Sequence, residues 1–134
     1  MKCRRLVKVG SGATAYWDIT GGKGAANYAT GDEAILQSIR CELHLQLGEW
    51  FLDITRGVPW VQNPNMTDHP ILGRHPADLS YAEAQIKAAI LRVEGVAGLS
   101  SFTMAFNHVT RAATCNVTGT FESGTAFTLQ ESVL

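Results

Sequence analysis

The stretch Ala113-Thr114-Cys115-Asn116-Val117-Thr118-Gly119-Thr120-Phe121 alternates apolar or small residues with polar ones along its whole length. A strand sends successive side chains to opposite faces, so this period reads as a half-buried β-strand with Ala113, Cys115, Val117 and Phe121 turned inward. The same alternation runs through Phe102, Met104 and Phe106 before it, and through Phe127 and Leu129 after it. Asn107-His108 and Glu122-Ser123-Gly124 supply turns between these runs. Consecutive strands joined by short turns make an antiparallel meander with one apolar and one polar face. The last strand, Thr125 to Val133, has no covering element after it in the sequence and is expected on a sheet edge, a template for pairing with another chain.

The apolar face needs a cover, and two helical stretches upstream can supply it. Residues 32–47 carry Ile35, Leu36, Ile39, Leu43 and Leu47 on one stripe. Asp32 is a candidate cap, Thr30 with Glu33 an alternative capping box, and Gly48 a helix stop. Glu42 and His44 are read as lying off the stripe. Residues 81–93 follow a capping box, Ser80-Tyr81-Ala82-Glu83, and bury Ala82, Ile86, Ala89, Ile90 and Val93, with Gly95 closing the helix. The expected fold class is therefore α+β: two helices packed on one face of an antiparallel sheet, a C-terminal three-strand meander, and an exposed edge strand. Residues 1–30 read as short strands, Arg5 to Val9 and Tyr16 to Thr20, between glycine-rich turns. The 134 residues fit a single domain, with 1–30 as an N-terminal β/turn segment and 31–134 as its core.

Composition narrows the function classes. Hydrophobic residues make up 46% of the chain and charged residues 17%, a globular balance. The formal net charge is −1, and the basic residues Lys2, Arg4, Arg5 and Lys8 read as a solvated edge strand, so no nucleic-acid partner is expected. No apolar run reaches membrane-spanning length and no signal peptide is evident, so neither a membrane partner nor export is expected. Cys3, Cys41 and Cys115 are widely spaced and read as reduced, mostly buried thiols. Neither they nor His44, His69, His75 and His108 show a ligand spacing, so no metal and no cofactor is expected. Residues 61–79 form a long loop with Ile71 and Leu72 as its apolar anchor.

The run Gly48-Glu49-Trp50-Phe51-Leu52-Asp53-Ile54-Thr55-Arg56-Gly57-Val58-Pro59-Trp60 mixes aromatics, charges and rigid turns. Two readings compete for it. Glu49 and Asp53 could be the carboxylate pair of a glycosidase, with Trp50 and Trp60 as sugar platforms. Alternatively the run is a docking loop, Glu49 making an ion pair with Arg56 or a partner arginine and Asp53 bonding within a turn. Docking is the preferred reading, with one or two of the aromatics anchored in the chain's own core.

Gly31 to Arg40, then Leu47 to Asp53 with Gly57-Val58-Pro59-Trp60, then Ile71-Leu72-Gly73 and Glu94-Gly95-Val96-Ala97-Gly98-Leu99 carry a family pattern. Over roughly residues 30–130 the chain resembles the baseplate wedge, or sheath-initiator, proteins of phage contractile tails, a family with an old "lysozyme-like" label. The resemblance implies a structural virion protein, not an enzyme, located in the tail baseplate and assembled in the host cytoplasm. It implies about six copies in a ring, with other wedge proteins and the tail sheath protein as partners and tube or hub proteins as further candidates. It implies that the chain joins wedge components and starts the sheath by donating its C-terminal strand. The partner-binding residues expected on this reading are Glu49, Trp50, Asp53, Arg56 and Trp60 of the loop, and Thr125, Phe127 and Leu129 of the last strand. The family's Glu-Pro-Arg element is only partly matched: Gly48-Glu49 keeps its glutamate context, Trp50 departs from it, and Arg56 and Pro59 supply its residue types later. The alternative function is a small muralytic enzyme using Glu49 and Asp53.

Overall fold

The computed structural model describes residues 2–11, 15–62, 70–73 and 79–132. His69 and His75 lie outside the described residues. In chain order the strands and helices are β1 (Lys2–Arg4), β2 (Leu6–Val9), β3 (Tyr16–Ile19), β4 (Tyr28–Thr30), α1 (Gly31–His44), α2 (Leu79–Leu91), β5 (Val96–Asn107), β6 (Ala112–Phe121) and β7 (Ala126–Ser132). The architecture is α+β, as the sequence predicts.

β5, β6 and β7 form the antiparallel meander in the order β5-β6-β7. The alternation of β6 and β7 is realised residue by residue: Ala113, Cys115, Val117 and Phe121 are buried, and so are Phe127 and Leu129. Phe121 and Phe127 stack with their ring centroids 4.6 Å apart. That stack needs a glycine beside it, because a Cβ on Gly119 would meet the Gly98 carbonyl oxygen at 2.5 Å and the Phe127 ring at 2.8 Å. Ile39 and Leu43 from α1, and Ile86, Ala89 and Ile90 from α2, pack with the inner face of the sheet into one core. The alanines of α2 let its backbone lie close to β5, as expected of small residues at a helix–sheet contact.

Three boundaries differ from the sequence expectation. First, α1 stops at His44 rather than at residue 47. Leu45 to Leu47 leave the helix because their backbone bonds to Val58 instead: Val58 N–H donates to Leu45 O at 2.9 Å and Leu47 N–H to Val58 O at 3.0 Å. Tertiary pairing here overrides helical periodicity. Second, Thr30 occupies the N-cap position of α1 without a capping side-chain bond. Glu33 is drawn to Arg5 at 2.9 Å, and Asp32 accepts from Ser123 Oγ at 3.1 Å. Third, α2 begins at Leu79, which puts Ser80 inside its first turn, while Glu83 pairs with Lys87 at 2.6 Å.

The N-terminal segment makes two small antiparallel pairs, β1 with β4 and β2 with β3. They are held to α1 by Gln37, which bonds the backbone on both sides of Arg5. Its amide oxygen accepts from Leu6 N–H at 2.9 Å and its amide nitrogen donates to Arg4 O. Arg40 of α1 lies over the Trp17 ring, 5.0 Å from its centroid. The basic residues here are also used internally: Arg4 donates to Gly22 O at 2.9 Å and covers Tyr28, and Arg5 pairs with Glu33.

Candidate functional site: the 45–60 loop and the β7 edge

The loop after α1 is built around a residue assigned by sequence to the polar side. Glu42 is 1% exposed. Its Oε2 accepts from Arg56 Nε at 2.9 Å and Nη2 at 2.7 Å, and its Oε1 accepts from Gly57 N–H at 2.8 Å. Arg92, just past α2, stands 3.7 Å from the same carboxylate and donates to Gly57 O at 2.7 Å and Thr55 O at 3.3 Å. A buried charge must be paired and hydrogen-bonded, and Glu42 is both. The expected pairing of Arg56 with Glu49 is therefore corrected. Burial of Glu42 beside the loop gives Arg56 a stronger partner than an exposed glutamate offers. Glu49 instead accepts from Gln46 N–H at 3.3 Å. The signal for Glu42 was present in the sequence: it sits seven residues after Ile35 and three after Ile39, on the buried face of the helix.

Gly57 is required at the point of closest approach. Its φ is 102°, and a Cβ would meet the Leu45 carbonyl oxygen at 2.6 Å. Behind it, Val58 and Trp60 are buried, and Trp60 Nε1 donates to Leu43 O at 2.9 Å. Ile71 closes the loop by donating to Pro59 O at 2.8 Å and is buried, whereas Leu72 is exposed. Trp60 is thus a core anchor, and the outer loop carries the exposed groups. Trp50 is 38% exposed with Arg56 over its ring at 5.6 Å, Phe51 is 84% exposed, and Leu52 and Ile54 are exposed as well. The candidate site residues omitted Phe51, Leu52 and Ile54; the signal for them was an apolar cluster inside a run of turns.

Asp53 makes the turn that holds this tip. Its Oδ1 accepts from Thr55 Oγ1 at 2.6 Å and Thr55 N–H at 3.0 Å. Those two bonds, the side-chain one first, hold its carboxyl below the usual carboxylate range. A glycosidase acid needs the opposite shift, so Asp53 is matched to a turn and not to proton donation.

The second part of the site is the outer edge of β7. Among the described residues β7 has β6 as its one strand neighbour. In the hairpin before it, Phe121 N–H donates to Thr125 O and Gly124 N–H to Phe121 O. Hydrogen-bonded and non-bonded pairs alternate along an antiparallel ladder. Phe127, Leu129 and Glu131 therefore bond to β6, while the N–H and C=O groups of Ala126, Thr128 and Gln130 face outward. Phe127 and Leu129 spend their side chains in the chain's own core, so the groups this edge offers are backbone ones. Thr125, Thr128 and Gln130 are exposed.

Under that edge lies Glu131, 8% exposed, with Arg40 Nε and His44 Nε2 each 3.3 Å from its carboxylate. Burial raises its pKa, but the His44 bond and the Arg40 charge outweigh burial and leave it lowered. Cys41 is exposed, in contrast to the packed thiol expected, and Cys115 is buried as expected. Among the described residues no cluster of His, Cys, Asp and Glu could hold a metal ion, and no helix is long and apolar enough to cross a membrane.

A family model described as contractile injection system sheath initiator matches residues 17–124. No curated protein matches the sequence.

Proposed function

The chain belongs to the contractile injection system sheath-initiator family, and we propose that it joins wedge components of a tail baseplate through its 49–60 loop and starts the sheath through the free edge of β7. Family membership makes it a structural component that works against other parts of a contractile injection system, the sheath among them. The finer reading assigns the exposed tip around Trp50 to the wedge proteins and the outward backbone groups of β7 to a strand of the first sheath ring. It places about six copies in a ring, in a baseplate assembled in the cytoplasm of the host of a phage.

The observation that carries this reading is the β7 edge. It has a row of outward N–H and C=O groups, a well-packed inner face, and no charged side chain on its outer face from Ala126 to Ser132. Edges left free in monomeric proteins are usually blunted by outward charge, proline, bulges or inward-pointing charges, and of these β7 has only the inward Glu131, which Arg40 and His44 pair. Docking of a partner strand uses backbone bonds for affinity and needs none of these.

The test follows from the ladder. Deleting the last strand would remove Phe127 and Leu129 from the core and confound assembly with folding. Thr128→Pro instead removes one outward N–H and leaves the bonds to β6 in place. It should abolish sheath initiation in an assembly assay while the purified protein stays folded by circular dichroism. Thr128→Val keeps the N–H and should initiate normally. Normal sheathed tails from a folded Thr128→Pro protein would sink strand pairing at this edge.

A further inference from the structure

We propose that Cys3 and Cys41 are a cross-linking pair, forming a disulfide that fastens β1 to α1 when the protein meets an oxidising medium. This goes beyond the assembly role and rests on different residues. In the β1–β4 register Cys3 is opposite Ala29. Cross-strand partners share a face, and Ala29 is fully buried, so Cys3 is turned toward α1. Its sulfur accepts a hydrogen bond from Gln37 Nε2 at 3.2 Å. Cys41 is four residues after Gln37 on the same helix, the spacing at which side chains become neighbours on one face. The Gln37 bond thus holds the Cys3 sulfur against the α1 face that also carries Cys41. Crowding of the sulfur by neighbouring atoms first, and Cys3 second, push the Cys41 thiol up, although the residue keeps an exposed surface. Cys41 is exposed, so a small oxidant reaches it, while Cys115 is buried in β6 and is shielded.

The chemistry is thiol–disulfide exchange with a low-molecular-weight disulfide such as oxidised glutathione. The Cys41 thiolate attacks one sulfur of the oxidant, forming a mixed disulfide and releasing one glutathione thiol. The Cys3 thiolate then attacks the Cys41 sulfur and expels the second. Two thiols lose two electrons and two protons, and the oxidant is reduced to two thiols. The cross-link would secure a three-residue strand pair, an element too small to be stable alone. It would stay open in a reducing cytoplasm and close outside it.

The test treats folded protein with oxidised glutathione and reads intact mass and peptide maps. The expected product has lost two hydrogens and carries a Cys3–Cys41 link, with Cys115 still free. Cleavage of the N-terminal strand by a protease should slow by about tenfold or more and recover on reduction. Cys3→Ser and Cys41→Ser should each prevent the link and leave a glutathione adduct on the remaining partner. Adducts at both cysteines of the unmutated protein without a link would overturn the proposal. So would an unreactive pair, or a link that forms only in denaturant.

Discussion

Glu42 and Glu131 both turn into the protein beneath α1, yet their surroundings differ. Glu42 takes two bonds from Arg56 and one from the Gly57 backbone, all at 2.7–2.9 Å. Glu131 meets two side chains at 3.3 Å, from Arg40 and the half-exposed His44. The first carboxylate organises a loop: without it Arg56, Gly57 and Arg92 would have nothing to converge on. The second tethers an edge strand to a helix through longer, more solvated contacts. On the proposed reading, a docking tip has to be presented rigidly, whereas an edge that pairs with another strand can tolerate adjustment beneath it.

The largest effect should come from the tighter site. Glu42→Ala leaves Arg56 without its acceptor, Arg92 without its nearest carboxylate and the buried Gly57 N–H unpaired. It should cost about 3–5 kcal/mol in denaturant unfolding, the range for breaking a buried ion pair. A loss below about 1 kcal/mol would place Glu42 with surface pairs and break the contrast. Glu131→Gln should cost only about 1 kcal/mol at neutral pH. Its pH signature sharpens the comparison. The folded-state pKa of Glu131 is lowered, so its contribution is complete above its unfolded pKa and is lost as pH falls through the folded value. The unmutated protein should therefore lose thermal stability on acidification below about pH 4.5 more steeply than Glu131→Gln. Parallel pH profiles for the two proteins would remove Glu131 from the account. The smallest effect on stability should come from Phe51→Ser, within about 0.5 kcal/mol, because the ring is exposed. The same substitution should weaken association with wedge components in a pull-down. Unchanged association would move the docking surface elsewhere on the loop.

The meander and the helical stripes were legible in the sequence because burial there follows a simple period: Val117 and Leu129 inward, Asn116 and Thr128 outward. Glu42 was misplaced for a different reason: its spacing from Ile35 and Ile39 put it on the buried face, but its charge argued for the outside. A charged residue is normally placed outside, and only the geometry of Arg56 and Arg92, which lie 14 and 50 residues further along, reveals why it is inside. The β1–β4 pair was also not legible. Its strands are three residues long and are joined through a whole intervening hairpin, so local pattern carries no record of their register. At the candidate site, sequence placed the loop correctly but could not sort its aromatics. Trp60 and Phe51 differ by whether Leu43 O lies within reach, which is a property of the packed helix and not of either residue's neighbours in the chain.

The Gln46–Val58 contact is a parallel bridge, formed between the end of α1 and the far limb of its own loop. The bridge joins residues 12 positions apart and so ties the two limbs of the loop together at its base. Glu42, through Arg56 and the Gly57 N–H, holds the same base from the helix side. On the proposed reading, the tip around Trp50 keeps its docking shape only while this double clasp stays closed, so a loss of docking should accompany any loosening at Gln46, Val58 or Glu42.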